Sequence, residues 1–491
     1  MSISFTNTLA ARSPVRGLLP LCAGAGAYLF FLFTGDSLLR DSDTFWQIKV
    51  GQWIMDHRAV PHTDLYSFTK FGEPWISTSS LSQILYAAVD AQWGWAGSVI
   101  LTSLAIAATV AIFVYLLSAH FEAAHCILLA MLALLLSQHH FLARPHVLAM
   151  PMMVAWVGGM ISAADRRAPP PLLLLPLMVL WANLHGGFVL GLALIAPVAL
   201  VAVWDAAPDR RVSLIFRWGF FAVCALVASC GTPYGWNALL GAARILDLGE
   251  LLSLISEWRP ADFSSFGFFE ASLLGLIGLA FYRGLVLSPP RIILLLGLIH
   301  MALTHVRSIE AFALLLPLVL AKPLADQLGS NSVAAPRTAE FGAPPYVTIF
   351  AAITIAGAAW ASTLSYMSHH KFVFVNSQTP TAAIELLKQR QAKHVFNSYE
   401  FGGYLIAMGL PAFIDGRAEL YGEKFVLNYN DAVEGRKVDQ LLRLLDEYQI
   451  DATLLVPKYP AAQLLDHIEG WKRLYADDTA VIHVRTTSQP Y

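Results

Sequence analysis

Gly17-Leu-Leu-Pro-Leu-Cys-Ala-Gly-Ala-Gly-Ala-Tyr-Leu-Phe-Phe-Leu-Phe-Thr34, followed within a few residues by Asp41-Ser-Asp-Thr-Phe-Trp46, decides the fold class. The first segment is long and apolar enough to cross a bilayer, which takes roughly 20 residues. It follows Arg12 and Arg16, and no Ala-x-Ala-like cleavage site comes after it, so it reads as an uncleaved signal anchor. The second segment places two carboxylates against the membrane surface. Carboxylates there pack poorly, but they serve well as metal ligands and general bases.

The rest of the chain agrees with the first span. Of 491 residues, 56% are hydrophobic and 13% charged. A soluble protein carries about 25% charged residues, so this chain belongs in lipid. Its net charge of −2 gives no sign of nucleic-acid binding. Cys22, Cys126, Cys224 and Cys230 lie in or beside apolar stretches without C-x-x-C spacing, which points to neither a disulfide framework nor a zinc site.

Eleven apolar stretches read as spans, near 17–35, 97–118, 123–138, 146–163, 171–183, 187–205, 212–230, 267–285, 290–304, 308–325 and 345–364. The fifth and sixth are short and joined by Asn183-Leu-His-Gly-Gly187, which suits a tight hairpin or a broken helix. With the N-terminus inside, the compact basic loops fall inside: Arg166-Arg167, Arg210-Arg211, Arg283 with Arg291, and Lys322 with Arg337. The Ala-, Pro- and Ser-containing stretch 327–344 reads as a flexible inner linker. An odd number of spans then places the segment from about Ser365 outside, which in a bacterium means beyond the inner (plasma) membrane. The expected organisation is a polytopic helical membrane domain over 1–364 and an extracytoplasmic α/β domain over 365–491.

The outer loops differ in chemistry from the inner ones. They carry Gln138-His-His140 with Arg144-Pro-His146, then Asn183 and His185, Ser256-Glu-Trp-Arg-Pro260, and His305-Val-Arg307 with Glu310. Ionisable groups at span ends are costly and usually functional. Asp41 and Asp43 can accept a proton or hold a divalent cation such as Mg or Mn. Arg144, Arg259 and Arg307 can grip phosphate oxygens through charge-assisted forks. His146, His185 and His305 can donate to phosphate or carry protons, and Glu257 joins the same set. A carboxylate opposite phosphate-binding cations suits transfer of a group from a lipid phosphate. The structural alternatives are specific. An aspartate can cap a helix, Arg144 can anchor at the interface, His139 and His140 can be plain interface residues, and Asn183 and His185 can satisfy backbone groups in a turn.

Loop 36–96 holds seven acidic and four basic residues. Trp46, Val50, Trp53 and Ile54 fall at i, i+4, i+7 and i+8, the stripe of a helix lying in the membrane interface. Asp43 and Gln47 share another face. A second interfacial helix is expected from about Ser79 to Trp93.

The C-terminal region alternates strand-like runs (Val395–Asn397, Ala412–Ile414, Ala452–Val456, Ala480–Val484) with helical ones (Thr381–Gln391, Val438–Tyr448, Ala461–Ile468), the pattern of a small α/β domain. The Gly-rich turn Asn397-Ser-Tyr-Glu-Phe-Gly-Gly403 lacks nucleotide-binding spacing. Asp415-Gly-Arg417 with Glu419 and Tyr421 follows a strand-like run, an address for ligand contacts. Equally it is a tight Asp-Gly turn with Arg417 and Glu419 paired.

The layout resembles the GT-C superfamily of integral membrane glycosyltransferases. Asp41-Ser-Asp43 matches the position of that superfamily's acidic motif after the first span. Asp43-Thr-Phe-Trp-Gln-Ile-Lys-Val-Gly-Gln-Trp-Ile54, Trp181-Ala-Asn-Leu-His-Gly-Gly187 and Phe413-Ile-Asp-Gly-Arg-Ala-Glu-Leu-Tyr421 are also similar to a group of bacterial membrane proteins of this architecture. The resemblance implies a polyprenyl-phosphate-sugar donor, a saccharide, lipid or protein acceptor, and transfer at the outer face. It also implies catalysis by Asp43 or Asp41, either of which can hold the metal. The Trp-Trp-Asp-type signature of oligosaccharyltransferases is missing, which argues against protein N-glycosylation. Two other classes remain, a flippase for a lipid-linked saccharide and a non-catalytic part of an envelope polysaccharide system. The scarcity of charge at mid-span counts against the flippase.

Overall fold

The computed structural model describes residues 14–246, 249, 255–328 and 345–486. Most of the inner linker expected at 327–344, with Arg337, lies outside the described residues, as does Arg12.

Each of the eleven apolar stretches falls on helix. Among the described residues six helices are long and apolar enough to cross a membrane: Trp95–Leu117, Ala123–His140, Pro145–Asp165, Pro208–Ser229, Ser308–Gln327 and Tyr346–His369. Shorter apolar helices cover Leu18–Phe33, Leu172–Leu184, Phe188–Trp204 and Pro289–Thr304. The fold is therefore that of a multi-pass membrane protein. We label α1 (Pro14–Phe33), α2 (Asp43–His57), α3 (Ser80–Trp93), α4 (Trp95–Leu117), α5 (Ala123–Ser137) and α6 (Pro145–Asp165).

The short pair joined at Asn183–Gly187 is a helical hairpin whose second arm is itself interrupted, into Phe188–Ala193 and Ile195–Trp204. Pro197 has no N–H to offer the Ala193 carbonyl one turn back, which breaks the helix there. Asn183 ties the hairpin down: its amide donates to the Val179 and Gly231 carbonyls, each at 2.8 Å. Arg291, counted above among the basic residues of the inner loops, is buried. It pairs with Asp165 at the end of α6 and donates to the Val319 carbonyl at 2.7 Å, so it locks three helices together.

The C-terminal region holds a four-stranded sheet in the order β1 (Val395–Asn397), β2 (Ala452–Leu455), β4 (Val481–Arg485), β3 (Trp471–Ala476). β1 and β2 are parallel, and the other pairs are antiparallel. β3 was not expected. It is a largely exposed edge strand with an irregularity between Arg473 and Tyr475, so its sequence carries little apolar alternation. Ala412–Ile414, expected as a strand, does not join the sheet. It lies along loop 36–96: the Phe68 N–H donates to the Ala412 carbonyl at 3.1 Å, and the Ala412 N–H donates to the Tyr66 carbonyl at 3.1 Å.

The stripe on α2 has a different partner from the one expected. Trp46, Val50 and Ile54 are buried in one apolar cluster with Trp75, Phe396, Phe413, Ile414 and Leu420, and Trp53 packs at its margin. The stripe faces the C-terminal region rather than lipid. Amphipathic periodicity shows that a face must be covered but not by what. On an adjoining face α2 packs on α3 so closely that a Cβ at Gly51 would stand 1.9 Å from the Gln83 carbonyl.

Candidate functional site

Asp41 and Asp43 flank the start of α2. Asp41 Oδ1 accepts the Asp43 backbone N–H at 2.8 Å, which satisfies a donor that the first helical turn leaves unpaired. The capping role read from the sequence therefore falls to Asp41 and leaves the Asp43 carboxylate for other partners. The Trp46 indole N–H donates to Asp43 Oδ1 at 3.0 Å from one turn further along.

Arg144 precedes Pro145, and a residue before proline is held extended. It takes that conformation at the head of α6 and extends into the gap between the two aspartates. One guanidinium nitrogen donates to Asp41 Oδ2 at 3.0 Å and to Glu257 Oε1 at 2.7 Å, and the other donates to Asp43 Oδ2 at 2.7 Å. Tyr86 of α3 donates to the Arg144 carbonyl at 3.3 Å, and Thr44 donates to the Ala143 carbonyl at 3.0 Å. Helices α2, α3 and α6 thus hold the arginine from three sides.

Glu257 is brought in by backbone pairing. The Arg307 N–H donates to the Glu257 carbonyl, and the Val306 N–H donates to the Arg259 carbonyl, each at 2.9 Å. The Arg307 guanidinium lies over the Trp258 ring, 4.5 Å from its centre. His305 is edge-on to the same ring at 5.3 Å and within 3.1 Å of the Thr304 hydroxyl. His146 bonds the His140 carbonyl at 2.7 Å, lies 4.0 Å from Glu310, and faces the His185 ring at 6.1 Å between centres. His185 Nδ1 accepts the Gly187 N–H at 3.0 Å, the backbone role allowed for it above.

Three carboxylates share one guanidinium, and two of them, Glu257 and Asp43, are shifted in opposite directions. Arg144 holds Glu257 well below the usual carboxylate range, against its burial. Burial pushes Asp43 up to about 7, although Arg144 pulls the other way. Burial also drives His185 down, reinforced by Arg307, so it is a neutral imidazole. The four interlocked side chains keep between 14% and 28% of their surface exposed, enough for a ligand to reach them.

Of the residues read from the sequence, Asp41, Asp43, Arg144 and Glu257 interlock directly, with His146, His185 and Arg307 around them. His305 lies behind Trp258. Arg259 is exposed, and its backbone carbonyl accepts the Val306 N–H.

The expectation that Asp41 and Asp43 hold a metal meets a geometric obstacle. Both Oδ atoms of each aspartate already accept a hydrogen bond, and Arg144 fills the space between them. Among the described residues no three His, Cys, Asp or Glu side chains form a metal-holding group. As arranged, the residues do not fit a divalent cation.

Three contributors come from the C-terminal region and were missed. Gly416 lies on Asp43, and a Cβ there would stand 1.9 Å from Asp43 Oδ1. Gly403 lies on the Ser42 carbonyl, where a Cβ would stand 2.1 Å away. Tyr399 has its hydroxyl raised well above its ordinary value by burial and by the charge of Asp43. Both glycines belong to segments singled out from the sequence, but the partner of neither could be read there.

The pairing expected between Arg417 and Glu419 does not form. Arg417 is fully buried. Its Nε and Nη2 donate to the two Asp415 oxygens at 2.8 and 2.7 Å, and its Nη1 donates to Asp64 Oδ1 at 2.6 Å. Glu419 accepts the Trp75 indole N–H at 3.2 Å instead. A side chain shut from solvent and saturated with partners is not a ligand contact.

No protein-family model matches the sequence, and no curated protein matches it. Among solved structures, the fold is similar to the oligosaccharyltransferase of Archaeoglobus fulgidus in its apo form. The TM-score is 0.54 at 12% identity, over 89% of this chain and 69% of that one. It is likewise similar to the archaeal oligosaccharyltransferase AglB from Archaeoglobus fulgidus in complex with an inhibitory peptide and a dolichol-phosphate. There the TM-score is 0.55 at 12% identity, over 96% of this chain and 75% of that one. At that identity the likeness is one of fold alone.

Proposed function

We propose that the chain is a membrane glycosyltransferase of GT-C type that moves a sugar from a polyprenyl-phosphate-linked donor to an acceptor at the outer face of a bacterial inner membrane. The observation that carries this reading is the partly exposed cluster of Asp41, Asp43, Arg144 and Glu257, drawn from three separate segments of chain. Shared fold with an enzyme solved with a dolichol-phosphate supports the lipid-linked donor. Asp43 is the base that takes the acceptor's hydroxyl proton. Arg144 and Arg307 face the donor phosphate and stabilise the charge left on it when the glycosidic bond breaks. Preorganised donors of this kind contribute roughly 100- to 1000-fold in rate. A Mg or Mn ion would need Arg144 to swing aside first, so no step is assigned to it.

The test is transfer from a panel of undecaprenyl-phosphate-linked hexoses and pentoses by purified full-length protein in nanodiscs. Asp43→Asn abolishes transfer and leaves the protein folded. Undiminished transfer by that variant sinks the assignment. The hydrogen bonds already filling every aspartate oxygen favour one second reading, a non-catalytic part of an envelope polysaccharide system. Its mark is full in-cell function with both aspartates replaced.

A further inference from the structure

We infer that the buried Arg417 clamp and the Gly416 turn are a positioning device for Asp43, so that the C-terminal region sets the geometry of the candidate base. Two routes connect the clamp to that carboxylate. In the first, the Arg417 backbone N–H donates to Asp415 Oδ1 at 3.0 Å, which closes the turn around Gly416. Gly416 then lies directly on Asp43, where a Cβ would meet both carboxylate oxygens and Cγ within 2.8 Å. In the second, the Arg417 guanidinium lies 4.8 Å over the Trp75 ring. Trp75 meets Trp46 edge-on at 6.1 Å, and the Trp46 indole donates to Asp43 Oδ1 at 3.0 Å.

The clamp is anchored on the same loop that carries Asp43. Asp64 takes Arg417 Nη1 at 2.6 Å, and also accepts the Tyr66 and Ser67 N–H groups at 3.0 Å. Tyr421 donates to Asp415 Oδ2 at 2.7 Å. Burying one arginine with two carboxylates is an expensive way to join two surfaces. Apolar side chains of similar volume would hold them as well or better. What the ionic clamp adds is direction: a guanidinium fork fixes angle as well as distance. That is the property needed where a carboxylate must point at a reacting hydroxyl.

The inference rests on the transferase reading only for what Asp43 does, so the test has one arm that needs no turnover. Full-length protein labelled with 5-fluorotryptophan in nanodiscs gives a fluorine NMR resonance for Trp46, assigned by Trp46→Phe. Gly416→Ala and Arg417→Lys shift that resonance by more than its linewidth, while Trp156 and Trp218, buried among the membrane helices, stay in place. If Arg417→Lys is not monodisperse, Tyr421→Phe replaces it, because it removes one hydrogen bond to Asp415. On the donor that the panel identifies, Gly416→Ala lowers kcat about 100-fold with the donor KM unchanged, as a misplacement near 1 Å would. An unmoved Trp46 resonance in folded Gly416→Ala overturns the inference. A loss confined to KM does the same. A shifted resonance in a protein that transfers nothing supports the positioning device and removes the transferase reading.

Discussion

Two arginines each gather carboxylates in this molecule, and the two clusters are built to opposite ends. Arg417 has no exposed surface, and its two carboxylate partners, Asp64 and Asp415, have none either. Arg144 holds three carboxylates and keeps 23% of its surface exposed. Both set more carboxylates around one guanidinium than it can balance, but the first is shut and the second opens to solvent. An Asp-x-Asp and an Asp-Gly-Arg look equally suggestive in a sequence. Exposure, not residue type, separates a fastener from a site.

The largest expected effect tests the fastener. Arg417→Met strands two buried carboxylates and destabilises the fold by about 3–5 kcal/mol, read as a fall in thermal midpoint and in monodisperse yield. Arg144→Met is milder in stability, roughly 1–2 kcal/mol after allowing for solvent access. Equal losses from the two would erase the distinction. In activity the order reverses. Asp43→Asn removes transfer, and Arg144→Lys, which keeps the charge and loses the fork, lowers it about 10- to 100-fold. Asp41→Asn costs less than Asp43→Asn in the same assay, since Asp41 is largely occupied with the helix start.

A smaller effect lies in pH. Asp43 is raised from 3.8 to about 7 in the folded state, first by burial and then by the neighbouring carboxylates, against Arg144. A carboxyl raised on folding gives its full stabilisation below its unfolded value, and that stabilisation is lost as pH rises toward 7. Thermal midpoints should therefore decline from pH 5 to 7 and level off above it, and Asp43→Asn should flatten that decline. Transfer runs the other way and rises through pH 7 as Asp43 ionises. Parallel pH slopes for wild type and Asp43→Asn would contradict the shift.

Much of this was legible beforehand, because bilayers impose simple rules. Apolar length placed all eleven helical stretches, and the sorting of loop residues put Asp41, Asp43, Arg144 and Glu257 on one side before any distance was known. Local periodicity located β1, β2 and β4. What escaped was every contact between loop 36–96 and the C-terminal region. Trp46, Val50 and Ile54 announce an apolar face that suits lipid or protein equally. Asp64 and Arg417 stand 353 residues apart, and no local pattern pairs them. Gly416 reads as an ordinary turn glycine, since its need for space exists only once Asp43 is beside it.

The bond between the Trp75 indole and Glu419 spans 344 residues, and between its two ends the chain makes most of its membrane helices. During synthesis, then, Asp43 emerges early and waits. Until the segment around Gly416 arrives, the apolar face of α2 stays uncovered and the carboxylate has no fixed aim. Contacts so distant in sequence form late and slowly, and surface left open meanwhile invites wrong association. A cell making this protein thus holds an inserted, helical chain without a finished site. Shortening the chain before residue 415 should yield such a species permanently, embedded in the membrane but inactive, and drawn to chaperones through Trp46, Val50 and Ile54.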